Sequence, residues 1–393
     1  MQYRKFGKLD WKVSALGFGT MRLPQTDSDM AHVDEPLAIQ MLRYAIDNGV
    51  NYVDTAYTYH MGNSERIVGR ALQDGYRQRI RLATKLSPHI LKPSQDLDSY
   101  FQKQLERLQT SKVDFYLLHG LNKQFWADLR ERDVFRWAEG KMAKGEIGYL
   151  GFSFHDEYEV FKEIVDYYDN WTFCQVQYNY LDIDRQAGRR GVEYAAGKGL
   201  AVVVMEPLRG GLLAKEPPEA VAKVWGKALQ KHSRVEWALQ WVWNQPEISV
   251  ALSGMSTMEQ VMQNVAFADR AAPGVLNADE LAFIKRVREA YQGLAPIPCT
   301  NCQYCQPCPN GVEIATIFRL YNDVFVYNDP RVGWFGYVGP GGLKEAQRAD
   351  KCQECEECVK VCPQKIAVPE WLKKAHEVLT PKEPFGPPPP PPE

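Results

Sequence analysis

Eight of the nine cysteines of this chain lie between Cys299 and Cys362. Cys299, Cys302, Cys305 and Cys308 are separated by two residues each and followed by Pro309, whereas Cys352, Cys355, Cys358 and Cys362 are separated by two, two and three residues and followed by Pro363. Such density in a short secreted chain would mean disulfides; in a chain of 393 residues with only Cys174 outside the two runs, it points to metal ligation. Spacing alone leaves structural zinc and iron-sulfur centres both open. Cys174 lies in an apolar run and is expected to be a buried thiol.

Asp54, Tyr59, Lys85 and His119 form a second chemical set. Asp54, Lys85 and His119 end apolar runs rich in β-branched and aromatic residues, and Tyr59 follows Asp54 in the next loop. An ammonium beside a carboxylate makes a partly buried ion pair, and beside a phenol it is expected to lower the Tyr59 pKa from about 10. A phenol so tuned gives a proton to a carbonyl oxygen or takes one from an alcohol, while His119 polarises or orients that oxygen. Any one of 20 tyrosines or 7 histidines is an ordinary packing or surface residue; the shared placement is what carries meaning.

The elements that must position these groups follow from periodicity. Apolar runs near 13–19, 51–56, 80–85, 113–119, 147–153, 173–178, 200–205 and 248–253 read as strands. Between them, Pro36–Asn48, Ser64–Gln73, Ser94–Leu108, Glu157–Tyr168 and Ser256–Ala266 read as amphipathic helices. Eight strand-helix repeats over about 250 residues predict an α/β fold, a closed (β/α)8 TIM barrel rather than an open sheet. In that barrel the chemistry sits at the C-terminal strand ends, where the four side chains above converge. Asn277–Tyr291 reads as one more helix, with Asn277 and Glu280 as its capping box. A proline-bearing linker at 293–298 then leads into the cysteine segment, whose aromatic stretch Leu320–Tyr337 reads as local core. The expected domains are 1–290 (barrel), 291–375 (cysteine domain) and 376–393, a proline-rich disordered tail.

The two cysteine runs resemble the bacterial two-cluster ferredoxin pattern, including its Cys-Pro endings; zinc ribbons supply separate pairs instead. The resemblance implies a small ferredoxin-like domain with two 4Fe-4S clusters, in which the fourth cysteine of each run ligates the other cluster. The first run is one residue shorter than that pattern, which bears on Cys308.

Gly49–Leu72, with Asp54-Thr55-Ala56, Tyr59, Gly62-Asn63-Ser64-Glu65 and Gly69-Arg70-Ala71-Leu72, resembles the aldo-keto reductase signature. Leu82-Ala83-Thr84-Lys85 and Asp114 to His119 match that family's Lys and His strands. The likeness covers about residues 1–290, and with the tail it is similar to a prokaryotic branch that carries a fused ferredoxin-type domain. It implies a tetrad of Asp54, Tyr59, Lys85 and His119. It further implies that Ser153 and Gln175 hold a nicotinamide carboxamide, that Met205, Pro207, Leu208 and Gly211 lie on the seventh-strand loop, and that Ser253, Gly254, Gln260 and Asn264 lie at the adenosine-phosphate end. Three positions depart from the family. Phe154 replaces an Asn, Met205 replaces the stacking aromatic, and Met255, Ser256 and Gln260 replace the cations that grip a 2′-phosphate, so preference for NADPH over NADH is not implied.

The expected function is an oxidoreductase that interconverts a small-molecule carbonyl and alcohol with NAD(P)H, Tyr59 acting as general acid/base, fused to two 4Fe-4S clusters. One alternative is an iron-sulfur electron-transfer enzyme using a flavin or an external ferredoxin or other redox partner; another is a non-catalytic, dinucleotide-sensing regulatory subunit, against which the intact tetrad counts. Net charge is -2 with no basic block, which argues against nucleic acid. No run of 18 apolar residues occurs and the start has no apolar signal core, so a cytoplasmic protein without membrane partners is expected. The loops 121–133 and 212–232 carry no recognisable ligand pattern. Trp126 is compatible with either pocket lining or surface packing.

Overall fold

Apolar residues two apart along short β-branched runs force strands that need cover on both faces, and here that cover comes from helices outside and side chains within. The computed structural model describes residues 1–27, 29–91, 96–228, 230, 232–339 and 342–381. Strands β1 (Tyr3–Phe6) and β2 (Leu9–Ser14) pair as an antiparallel hairpin. Then β3 (Leu16–Gly19), β4 (Tyr52–Asp54), β5 (Arg81–Leu86), β6 (Val113–Leu121), β7 (Ile147–Phe154), β8 (Phe173–Gln177), β9 (Ala201–Met205) and β10 (Ile248–Gly254) close into an all-parallel barrel in sequence order, β10 pairing with β3. This is the expected eight-stranded barrel.

The run 13–19, read as one strand, is two: Ser14 ends the hairpin and Leu16 begins the barrel. The hairpin turn uses Gly7 at φ +55°, where a Cβ would stand 2.5 Å from the Ala201 backbone nitrogen, so only glycine fits. Phe6, Trp11 and Val13 of the hairpin pack with Tyr52, Phe115, Phe173, Val203 and Val250 from the barrel strands, with Phe6 and Phe115 rings 4.8 Å apart. Most of these barrel residues stand early in their strands, so the hairpin plugs the N-terminal end.

The helices follow their expected patterns closely. Glu35–Asp47 is capped by Asp34 accepting from Leu37 N–H and stopped at Gly49, φ +97°. Met258–Phe267 starts two residues later than expected because Thr257, accepting from Gln260 N–H, is its cap. Leu97–Leu108 is capped by Asp96; its expected start at Ser94 lies outside the described residues. Asn277 and Glu280 make the reciprocal capping-box bonds at 3.0 and 2.8 Å. Trp126 is buried and donates from Nε1 to Glu163, so it packs. Cys174 is fully buried, and burial pushes its thiol pKa up.

The chain divides into two compact units, Met1–Ala214 with Lys231–Leu281, and Lys215–Gln230 with Ala282–Glu393. The cut falls at 281 rather than 290, and a segment of the expected second substrate loop groups with the C-terminal unit. That unit has its own core, in which Ile317, Phe318, Tyr321 and Val324 of helix Ile314–Val326 meet Tyr337, Leu372 and Leu379, so the aromatic stretch is local core. Its last helix runs Val368–Leu379, four residues past the expected tail boundary at 375; the proline run 387–392 lies outside the described residues. No helix among the described residues is long and apolar enough to cross a membrane.

Candidate functional site

Parallel strands deliver their last residues to one mouth, and β4, β5 and β6 deliver Asp54, Lys85 and His119 there. The end of β4 is held by buried hydroxyls: Thr20 donates to the Asp54 carbonyl at 3.0 Å, and Ser64 bridges Thr20 and Thr55 at 2.7 and 2.9 Å. Lys85 is 1% exposed and donates to Asp54 Oδ1 at 2.5 Å, to the Thr55 carbonyl at 2.9 Å and to Tyr59 Oη at 3.4 Å. The Tyr59 ring meets His119 edge-on, centroids 5.9 Å apart, and His119 Nδ1 lies 2.9 Å from Ser87 Oγ. All four line one cavity of about 370 Å³.

Burial works against the Lys85 charge, but Asp54 and Tyr59 together outweigh it and raise its pKa. Burial also raises Asp54 against the pull of Lys85. For Tyr59 the expectation of a lowered pKa is overturned. Lys85 does pull it down, yet burial pushes harder and the balance is upward.

Beyond Tyr59 the chain makes three left-handed residues in a row, His60, Met61 and Gly62, before helix Asn63–Ala71. The turn is held by His60, whose Nε2 accepts from Leu23 N–H at 3.1 Å and whose Nδ1–H donates to the Met30 carbonyl at 2.8 Å. Both nitrogens are engaged with the ring neutral, and burial lowers its pKa accordingly.

Ser153, Gln175, Met205 and Gly254 line the same cavity as the four. An adjoining cavity of about 290 Å³ is lined by Pro207, Leu208, Gly211, Ser253, Gln260 and Asn264, and Arg22, Glu206, Leu252 and Gly254 border both. The ten residues assigned to a dinucleotide are thus brought onto one continuous groove. The buried Gln175 Oε1 has no hydrogen-bond partner among the described residues, and Ser153 Oγ accepts from Gly120 N–H at 2.7 Å, which leaves its own proton to donate. One acceptor and one donor suit a primary carboxamide. Phe154 lies buried against Phe161 on the helix side; alternation instead sends its neighbour His155 to the cavity. Arg22, His60, His155 and Ser87 were not assigned a role from sequence, whereas Glu206, which borders both cavities, begins the seventh-strand loop that the resemblance pointed to. Arg22, Ser87 and His155 follow strand ends and were findable by the barrel rule, whereas His60, six residues past the end of β4, carries no such signal.

In the second unit Cys299, Cys302, Cys305 and Cys362 line one pocket with Ile314, Phe318, Ile366 and Val368. Cys302 and Cys362 are near enough to Cys299 to add to the rise that burial gives its pKa. Likewise Cys358, pushed up to about 11 chiefly by burial, feels Cys352, Cys308 and Cys355. The eight therefore group as three plus one exchanged between runs.

A model of the aldo/keto reductase family matches residues 15–289, and a model of the 4Fe-4S dicluster domain matches residues 298–367. An uncharacterised oxidoreductase of Bacillus subtilis (strain 168) is 24% identical over 304 residues, 67% of this chain and 90% of the relative. L-galactose dehydrogenase of Arabidopsis thaliana is 26% identical over 315 residues, 75% of this chain and 96% of the relative. Among solved structures, the holo form of an aldo-keto reductase from Bacillus halodurans aligns with a TM-score of 0.61 at 28% identity, covering 73% of this chain and 96% of its own. An aldo/keto reductase from Klebsiella pneumoniae in complex with NADP and acetate aligns at 0.56 and 26% identity, covering 73% and 95%.

Proposed function

The chain belongs to the aldo/keto reductase family and carries a 4Fe-4S dicluster-type domain, and from that premise we propose that it interconverts a small carbonyl compound and the corresponding alcohol with a nicotinamide dinucleotide. The observation that carries this reading is the convergence of Tyr59, His119 and the Lys85–Asp54 pair in one cavity whose wall presents Ser153 and the unpartnered Gln175 oxygen. A bound nicotinamide supplies or accepts the hydride.

The chain's own groups do the rest. Tyr59 Oη holds the proton that the carbonyl oxygen receives, and its raised pKa keeps that proton on the phenol until it is needed. Lys85, fixed by Asp54, stabilises negative charge that develops on the phenol as it gives the proton up. His119 orients the substrate oxygen. With the dinucleotide bound, Ser153 and Gln175 would hold its carboxamide, Met205 would offer polarizable sulfur to the nicotinamide end, and the groove from Pro207 to Asn264 would take the rest. The eight cysteines would hold two 4Fe-4S clusters, the fourth ligand of each run exchanged, in keeping with the grouping of Cys362 with Cys299, Cys302 and Cys305.

The test is an absorption spectrum of the anaerobically purified protein together with carbonyl-dependent oxidation of NADH and NADPH. Iron-sulfur bands with dinucleotide oxidation are expected. Flavin bands, or no oxidation with any aldehyde or ketone of a broad panel, would overturn the nicotinamide reading.

A further inference from the structure

The hydroxyl of Ser87 lies 2.9 Å from Nδ1 of His119, and its backbone N–H donates to Tyr100 Oη at 3.2 Å. Ser87 is fully buried and stands two residues past Lys85, beyond the end of β5. The surrounding side chains are linked to one another. Tyr100 stacks on Tyr57, centroids 4.3 Å apart, and the Arg107 guanidinium lies over the Tyr57 ring, 4.0 Å from its centroid. Arg107 also donates to the Tyr57 carbonyl at 3.2 Å and pairs with the buried Glu65 at 3.3 Å. Because Tyr57 precedes Tyr59 by two residues, one set of contacts ties the loop of the phenol to the residue that faces the imidazole.

We infer that Ser87 is a positioning residue, whose hydroxyl donates to Nδ1 of His119 and so holds the imidazole in the tautomer protonated at Nε2. This role rests on the proposed carbonyl chemistry. A neutral imidazole with its proton on Nδ1 would offer a lone pair at Nε2 and could not donate to a carbonyl oxygen, whereas the reverse tautomer can. With Nδ1 tied to Ser87, Nε2 is on the side of the ring away from it, and His119 lines the cavity while Ser87 does not. The serine therefore sets both the ring angle and the location of its proton without touching substrate.

The test uses the full-length protein and has two arms. In the first, nitrogen-15 spectra of the histidine rings, with His119 assigned by its loss in His119→Gln, should show a neutral Nε2–H tautomer in the wild type and a mixture in Ser87→Ala. In the second, Ser87→Ala should lower kcat for aryl-aldehyde reduction by about tenfold to a hundredfold, as small misplacements do, with NADPH affinity unchanged; Ser87→Thr, which keeps the hydroxyl, should recover part of the loss. An Nδ1–H tautomer in the wild type, or Ser87→Ala turning over at the wild-type rate, would overturn the inference. Should the wild type reduce no carbonyl, the proposed reaction fails, and the nitrogen-15 arm alone still decides whether Ser87 sets the tautomer.

Discussion

At Tyr59, one oxygen atom separates a proton donor from an inert ring. Tyr59→Phe removes that oxygen and almost no volume, so turnover is expected to fall by about 10² to 10⁴ while dinucleotide binding persists; near-normal rates would sink the assignment. The upward shift of the Tyr59 pKa has its own consequence. A group raised above its usual value of about 10 stays protonated through neutral and mildly alkaline pH, so kcat/KM for reduction should show no falling limb from Tyr59 below about pH 10, and one near pH 8 that belongs to this phenol would contradict the shift. The sequence made the four convergent residues legible because each lies at or just past an apolar run and the barrel rule says where such positions gather. It misjudged the phenol because neighbouring charges can be read from order along the chain whereas burial cannot. Ser87, just past the end of β5, falls at the same mouth by the barrel rule, but its partner was not legible until the pairing of β5 with β6 set it beside His119.

Elements were legible where periodicity was long, which covers all eight barrel strands and five of the helices that follow them, but not Lys123–Glu131, Val134–Ala143, Gly188–Gly197, Glu219–Trp225 or Arg234–Trp243. The hairpin of β1 and β2 was hidden by its continuity with β3: Val13 to Gly19 is one apolar run, and only the switch from antiparallel to parallel pairing at Ala15 divides it. The segment from the end of β10 into helix Met258–Phe267 shows how a loop's chemistry can be read although its geometry cannot. Ser256 spends its hydroxyl on the Arg22 carbonyl and its N–H on Gln260 Oε1, and no Lys or Arg other than Arg22 borders that cavity among the described residues. Arg22 is itself within 3.8 Å of Glu206. Discrimination between NADH and NADPH is therefore expected to be weak. A titration showing a preference for NADPH above about a hundredfold, roughly 2.7 kcal/mol, would mean that another cation reaches the 2′-phosphate.

The molecule as a whole combines an aldo/keto reductase barrel with a 4Fe-4S dicluster-type domain whose cysteines come from both ends of that domain's own sequence. If the cysteines group as three plus one, Cys362→Ser should damage the cluster of the first run, although Cys362 lies far beyond Cys308, and the surviving signal should trace to the Cys352 run. Iron measured near eight per chain and falling toward four in the variant would agree; loss of the second-run cluster instead, or zinc in place of iron, would not. The hairpin that stops the N-terminal end of the barrel leaves, among the described residues, one doorway for everything that enters or leaves. Whatever settles against Ser153 and Gln175 is then beneath whatever meets Tyr59 from above, so it must arrive first and depart last. Product-inhibition kinetics should show the oxidised dinucleotide competing only with the reduced one and the alcohol giving mixed inhibition against the reduced dinucleotide; an oxidised dinucleotide that also competes with the carbonyl would mean that traffic through the doorway is unordered.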